Sequence, residues 1–444
     1  MKLSIKSGLL ILVFILQGYS HLSAQTSPGY SLQQLIDAAM NNSHLLSISE
    51  YRVQEKMSKL KEDEIKRYPS AILDGSYQYN FSLPEITIPA GTISTGAGGS
   101  QPLPSEDRKF IVGEKSTYNI GLSIYQPITQ QFKMSTGLSI DRTDIKLGQK
   151  EKEKTALQIQ LTIEQLYYGA LIAQKQEEGA MARLELAQAS VYDAEGALAA
   201  GKTTVVSLSG LRAGISGEEQ NLLKLEIQVE DYLTELGKLT NLRVLKLQIT
   251  EPDSMTVNHV DEYKLAATGN PDIEIARLNK EKALLGIKAA KQSNLPDFGV
   301  IAGYYVQQGS PLLPGNSPYV GLNLKWNIQD LFSNKQVQNQ RQYQLKQAEE
   351  TIVYTQQQVE SDIDKAWRKV KQSDALIKAA QKLTGYRKEA LKEQQDRQET
   401  GLDTKKVLLE VKSQLAEAEA DLYAAQLSKA LAIAALKNLT GQTK

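Results

Sequence analysis

The sequence predicts an α+β membrane protein built from two internal repeats, with bilayer-length strands feeding helices too long for a globular core. Three observations carry this. The same order occurs twice: two short alternating strands, a helical tract of roughly 70 residues without proline, a glycine turn and a second helix. The spacing is also kept, since Gly121 precedes the turn glycine Gly201 by 80 residues and Gly321 precedes Gly401 by 80. A repeat of this size is one supersecondary unit used twice. Finally, all 13 prolines lie at or before Pro318, and none falls between Pro127 and Pro252. Proline breaks helix interiors, so the two proline-free tracts mark long helical regions.

Residues 1–24 read as a secretory signal peptide. Lys2 and Lys6 precede the apolar run Leu9–Leu16, and Ser23-Ala24 supplies small residues before a cut at Gln25. That run is too short for a membrane helix, and the rest of the chain has no run near eighteen apolar residues. There is no cysteine, so the expected mature chain has no disulfide and no thiol for a lipid anchor. The first repeat is expected over 25–250 and the second over 251–444.

The first repeat opens with a helix over Leu32–Lys66, stopped by Tyr68-Pro69. A strand follows over Leu73–Ser82, with Leu73, Tyr77, Tyr79 and Phe81 on one face and Asp74, Ser76, Gln78 and Asn80 on the other. Pro84–Ser116 reads as a long loop. The strand Tyr118–Gln126 then sets Tyr118, Ile120, Leu122 and Ile124 against Asn119, Gly121 and Ser123. The second repeat gives a helix over Asp261–Ser293, a stop at Leu295-Pro296 and a strand with Phe298, Val300, Ala302, Tyr304 and Val306 on one face. After the loop Gln307–Pro318, a fourth strand sets Val320, Leu322, Leu324 and Trp326 against Gly321, Asn323 and Lys325. Each strand has roughly the 8 to 10 residues that cross a bilayer when tilted. An amphipathic sheet on a soluble core fits the same alternation; the flanking long helices and the signal peptide favour the bilayer.

The long helices begin near Gln131 and Leu331 and are each about 100 Å long at 1.5 Å per residue. In the second, Leu345, Ile352, Val359, Ala366, Val370 and Ile377 keep a near-heptad seam, with Ala348, Ile363 and Ala380 beside it. Such helices need partner helices along their whole length.

Catalytic chemistry is not indicated, and no cofactor is expected. Only His44 and His259 survive signal removal, at no metal-ligand spacing, and there is no G-x-S-x-G. Gly196–Thr203 (GALAAGKT) matches the phosphate-loop pattern, but it follows a helical tract rather than a buried strand, so it reads as a helix end and glycine turn. The 51 acidic and 51 basic residues balance, which gives no case for nucleic acid.

Together these segments resemble the TolC-like outer-membrane efflux protein family over essentially the whole mature chain. The resemblance rests on SLQQLIDAAMNNS and its counterpart VDEYKLAATGNPDI, the two X-Pro helix stops, GLSIYQP and GLNLKWNI leading into the long helices, and the turn ETGLDTKKVLLEVKSQL. It implies a homotrimer whose four strands per chain close a 12-stranded outer-membrane barrel, continued into the periplasm by a coiled-coil tunnel. It further implies a passive exit duct docked to a periplasmic adaptor and an inner-membrane RND or ABC transporter. Closure has its own physical reason, because open sheet edges cannot be satisfied by lipid.

By the same resemblance, Gly201, Thr204, Gly401, Leu402 and Thr404 form adaptor-contacting tips, and Glu410 with Asp403 forms a periplasmic entrance gate. Leu122, Ile124, Tyr304, Leu322, Leu324 and Trp326 are expected to face the membrane. The chain departs from the family where acids six and nine residues past each tip glycine are usual: these positions hold Val407 and Glu410, and Ser207 and Gly210. The alternative is a secreted, non-channel coiled-coil scaffold or adhesin.

Overall fold

The computed structural model describes residues 29–92, 104–249, 257–309, 314–400 and 404–441. The chain runs α1 (Leu32–Asn42), α2 (His44–Ile65), β1 (Ser70–Tyr79), β2 (Glu85–Ile88), β3 (Arg108–Ile111), β4 (Ser116–Pro127), α3 (Gln130–Ala199) and α4 (Val205–Thr240). It continues α5 (Val260–Ala266), α6 (Pro271–Gln292), β5 (Asp297–Gln308), β6 (Asn316–Lys325), α7 (Ile328–Glu399) and α8 (Lys405–Leu439). The signal peptide expected over 1–24 lies outside the described residues.

Two helices expected as single pieces are interrupted. The first breaks at Ser43, whose ψ of 123° is extended although its N–H still donates to the Ala39 carbonyl at 2.9 Å. Asn42 Nδ2, next to the break, donates to the Thr240 carbonyl. The second breaks at Asn270-Pro271. Proline disfavours a helical residue before it, and Asn270 takes φ −59°, ψ 130° while its Oδ1 accepts from the Asp272 N–H at 2.8 Å. The helix N-terminus of α1 carries a capping box, Ser31 with Gln34.

The chain divides into two compact units, each drawing on both repeats. The strand-bearing unit is Arg52–Gln149 with Ala276–Ile352; the helical unit is Met1–Tyr51, Lys150–Ile275 and Val353–Lys444.

In the strand-bearing unit, four antiparallel strands run in the order β1-β4-β5-β6. The central pair joins the repeats, with Leu122 opposite Tyr304 and Ile124 opposite Ala302. Strand β1 begins and ends three residues earlier than expected, at Ser70 and Tyr79, which leaves Phe81 outside it and 91% exposed. The expected loop over 84–116 contains a small hairpin, in which Ile86 of β2 pairs with Phe110 of β3. Four-residue strands inside a Gly/Ser/Pro-rich stretch give too short an alternation to be seen from composition. Pro318 lies two residues into β6, opposite Tyr304.

The helical unit has two apolar cores. Tyr167, Ile163 and Leu171 of α3 pack with Leu35 of α1, Leu236 of α4 and Leu427 of α8. Tyr167 is fully buried, and its hydroxyl donates to the Gln248 carbonyl at 2.5 Å, which satisfies the one polar atom it brings inside. The second core joins Val359, Ile363 and Val370 of α7 to Ala432, Ile433 and Leu436 of α8.

Candidate conduit surfaces

The sheet has two chemically distinct faces, and the register fixes which residue belongs to which. Across the strands, Leu73 is opposite Leu122, and Leu122 opposite Tyr304. Val300 is opposite Leu322, and Phe298 opposite Leu324. Period-two alternation therefore gathers Leu73, Tyr77, Leu122, Ile124, Tyr304, Leu322 and Leu324 on one face, and all of these are exposed. Trp326 follows β6 by one residue, is half exposed, and donates from Nε1 to the Asn294 carbonyl at 3.2 Å.

The opposite face carries Asp74, Gly121, Ser123, Gly299, Gly303, Asn323 and Lys325 by the same register. It also carries Tyr125, Tyr305 and Tyr319, which sequence reasoning did not single out. A Cβ on Gly299 would lie 2.5 Å from the Tyr125 ring, and one on Gly303 would lie 2.7 Å from the Tyr319 ring. The two glycines are therefore seats for tyrosine rings, a pairing that stiffens strands otherwise weakened by glycine. The alternation held the signal: each of these tyrosines sits on the small and polar face.

The start of the first long helix is tied to β5. Thr129 Oγ1 donates to the Pro296 carbonyl at 2.7 Å and accepts from the Phe298 N–H at 2.8 Å. Lys133 Nζ bonds Asp297 Oδ1 at 2.6 Å. These contacts anchor the first turn of α3 to the start of β5.

Of the tip residues, the structure describes Gly201, Thr204 and Thr404; Gly401, Leu402 and Asp403 lie outside the described residues. Gly201 has φ +71°. Its N–H donates to the Leu198 carbonyl, and the Lys202 N–H donates to the Ala197 carbonyl, which closes α3 with a Schellman motif. The phosphate-loop match at Gly196–Thr203 is thus a helix C-terminus. Thr204 caps α4, accepting from the Ser207 N–H at 3.2 Å, whereas Thr404 makes no side-chain cap bond to α8. Glu410 is exposed in the second turn of α8, beside buried Leu409. Among the described residues, no ion pair joins Lys405 or Lys406 to it.

The α7 seam runs further than the apolar residues announce. Val359, Ile363 and Val370 are buried, and so are Ser373, Thr384 and Gln394 beyond them at the same spacing. Thr384 Oγ1 donates to the Ala418 carbonyl at 3.2 Å, and Arg387 donates to Gln414 Oε1 at 2.6 Å. The buried Nε2 of Gln394 has no partner among the described residues. The seam therefore changes from apolar to polar toward the α7–α8 turn.

Among the described residues, no group of three or more His, Asp or Glu is placed to hold a metal, and no helix is long and apolar enough to cross a membrane.

The family model for outer membrane efflux proteins matches residues 263–442. Over that segment the chain is similar in sequence to outer membrane efflux proteins. No curated protein matches the chain. Among solved structures, the chain is similar to the CmeC outer membrane channel of Campylobacter jejuni, with a TM-score of 0.73 at 15% identity over 93% of this chain and 87% of that one. A membrane protein from Pseudomonas aeruginosa gives 0.72 at 15% identity, covering 93% and 90%. The outer membrane protein VceC of Vibrio cholerae gives 0.68 at 18% identity, covering 93% and 97%. At these identities the likeness establishes the fold.

Proposed function

We propose that this chain is the outer-membrane exit duct of a tripartite efflux or type I secretion system. Three copies close a 12-stranded barrel, and the long helices extend it into the periplasm. Cargo passes without chemistry, delivered by a periplasmic adaptor and an inner-membrane RND or ABC transporter. The observation that carries this reading is the sheet. It has one apolar face and one polar face, and among the described residues β1 pairs only with β4 and β6 only with β5. Two open edges on a sheet of bilayer-length strands require another strand on each side. Two neighbouring copies supply them, one placing its β6 against this β1 and the other its β1 against this β6.

In this reading Leu122, Ile124, Tyr304, Leu322 and Leu324 face lipid, with Trp326 at an interface. Gly201, Thr204, Gly401, Leu402 and Thr404 meet the adaptor, and Glu410 with Asp403 rings the periplasmic entrance. The decisive experiment is outer-membrane fractionation combined with heat-modified gel mobility, followed by single-channel recording of the purified assembly. A heat-sensitive trimer that conducts ions supports the duct. A soluble, monomeric, non-conducting product returns the reading to a secreted scaffold.

A further inference from the structure

The zero net charge of the whole chain hides a local imbalance in the strand-bearing unit. From Lys282 to Ser293, α6 carries Lys282, Lys288 and Lys291 and no acid. From Leu331 to Ala348, α7 carries Lys335, Arg341 and Lys346 and no acid. Between these two stretches and α3 lies a groove of about 480 Å³, within the size range of small-molecule sites. Its apolar part is formed by Ile140, Ala289, Ala290 and Val337, and its cations are Lys282 and Arg341.

The two cations are not equivalent. Lys282 Nζ is held by Asp144 Oδ1 at 2.6 Å. Arg341 donates from Nη1 to the neutral Gln344 Oε1 at 2.9 Å, and no carboxylate meets it among the described residues. Gly286 lies opposite, where an added Cβ would stand 3.7 Å from the Arg341 Cδ. The guanidinium thus borders an apolar groove with its charge uncompensated. The groove is also polarised along α6. The apolar residues Ala289 and Ala290 lie toward the strand end, and Lys282 lies two turns away.

The groove is linked to the polar sheet face through α3. Lys133, Ile140 and Asp144 share one stripe of α3 by helical spacing. Lys133 at its start bonds Asp297, which alternates with Phe298 and so lies on the face of Gly299, Gly303 and Lys325. On the duct reading, the groove adjoins that face through the α3 stripe.

We propose that this groove is a cargo subsite for amphipathic organic anions, which rests on the duct reading. The apolar body lies against Ile140, Ala290 and Val337, and the anionic head pairs with Arg341. The charge complementarity and the order of the two parts both fit such a molecule, whereas a cationic amphiphile would set its head against the Arg341 guanidinium.

The chain has no cysteine, so a single thiol reports the site. In the full-length assembly in nanodiscs, Ala283→Cys is labelled with an uncharged maleimide, with decanoate or decanol as competitor. Decanoate is expected to slow labelling at lower concentration than decanol does. Arg341→Gln should raise the decanoate requirement about tenfold, the scale of one charge-assisted contact, and leave decanol unchanged. Equal protection by both amphiphiles, or an unchanged decanoate curve in Arg341→Gln, overturns the proposal. A thiol that labels only after unfolding overturns it too, because a neighbouring copy then covers the groove. Conductance of the unmodified assembly is recorded separately, so failure of the duct reading is distinguishable from failure of the subsite.

Discussion

Gly303 lies directly across from Tyr319 in the β5–β6 pair, and a Cβ on Gly303 would come within 2.7 Å of both the Tyr319 ring and the Leu122 carbonyl oxygen. The second contact is to backbone, so turning the ring aside does not relieve it. Gly303→Ala is therefore expected to destabilise the sheet by ~1–3 kcal/mol, the usual cost of overpacking. Gly321→Ala is the control, since its Cβ would meet Ile301 at an ordinary 3.6 Å. Thermal unfolding followed by gel mobility compares them. An equal midpoint for the two variants would show that β4 and β6 shift freely around Gly303.

The two faces of β4 give a paired test of which side meets lipid. Leu122 and Ser123 are neighbours on opposite faces, opposite Tyr304 and Gly303 respectively. On the proposed lipid face, Leu122→Arg should cost ~2–4 kcal/mol near the bilayer midplane, and Ser123→Arg much less. The measure is the fraction of heat-sensitive assembly recovered from the outer membrane. The assignment fails if both arginines lower it equally.

The strands were legible because alternation is a local signal and one apolar face is enough to reveal it. The long helices were legible because proline is absent from them. Other features depend on partners that sequence does not display. Thr384 and Gln394 fall on the α7 seam, yet as polar residues they gave no heptad signal. Ser43 breaks a helix beside Asn42, whose side chain bonds Thr240, 198 positions away. Pro271 was visible and was wrongly read through; the proline itself marks the break. The cationic walls beside Arg341 were masked by a balance summed over the whole chain. In the same way, Tyr125 and Tyr319 become meaningful only once the register places glycines beside them.

Glu164 of α3 supplies a pH test. It is 9% exposed, and burial raises its pKa above the ordinary carboxylate value, against a lowering hydrogen bond from Gln160 and the nearby charge of Lys437. A raised folded-state pKa means that the folded protein holds this proton more tightly than the unfolded chain. The resulting stabilisation is complete below the unfolded value and is lost as pH rises through the folded one. Glu164→Gln removes the titration while keeping the shape, so it should gain on the parent as pH rises from 4 to 8. Unfolding midpoints at both ends of that range decide it. A gap between parent and variant that does not change with pH would show that Glu164 is solvated in the assembly.

The proposed entrance gate centres on Glu410. It is exposed beside the buried Leu409 of the α7–α8 hairpin, and its proposed companion Asp403 lies outside the described residues. If three copies bring Glu410 to a common axis, the ring repels itself and concentrates cations by focusing the field in a narrow, low-dielectric passage. Because the usual second acid is replaced by Val407, the field should depend on Glu410 far more than on any neighbour. Glu410→Gln is then expected to weaken block by multivalent cations and to reduce cation selectivity in single-channel recordings, while heat-modified mobility stays that of the parent. Glu185, which accepts from Lys412 at 3.3 Å, is the matched control: Glu185→Gln removes a charge of the same sign from the helical unit, but from a side chain already engaged. Loss of block in Glu410→Gln alone locates the ring. Unchanged conductance, selectivity and block in Glu410→Gln would mean that no such ring exists and that the passage closes through the polar α7 seam instead.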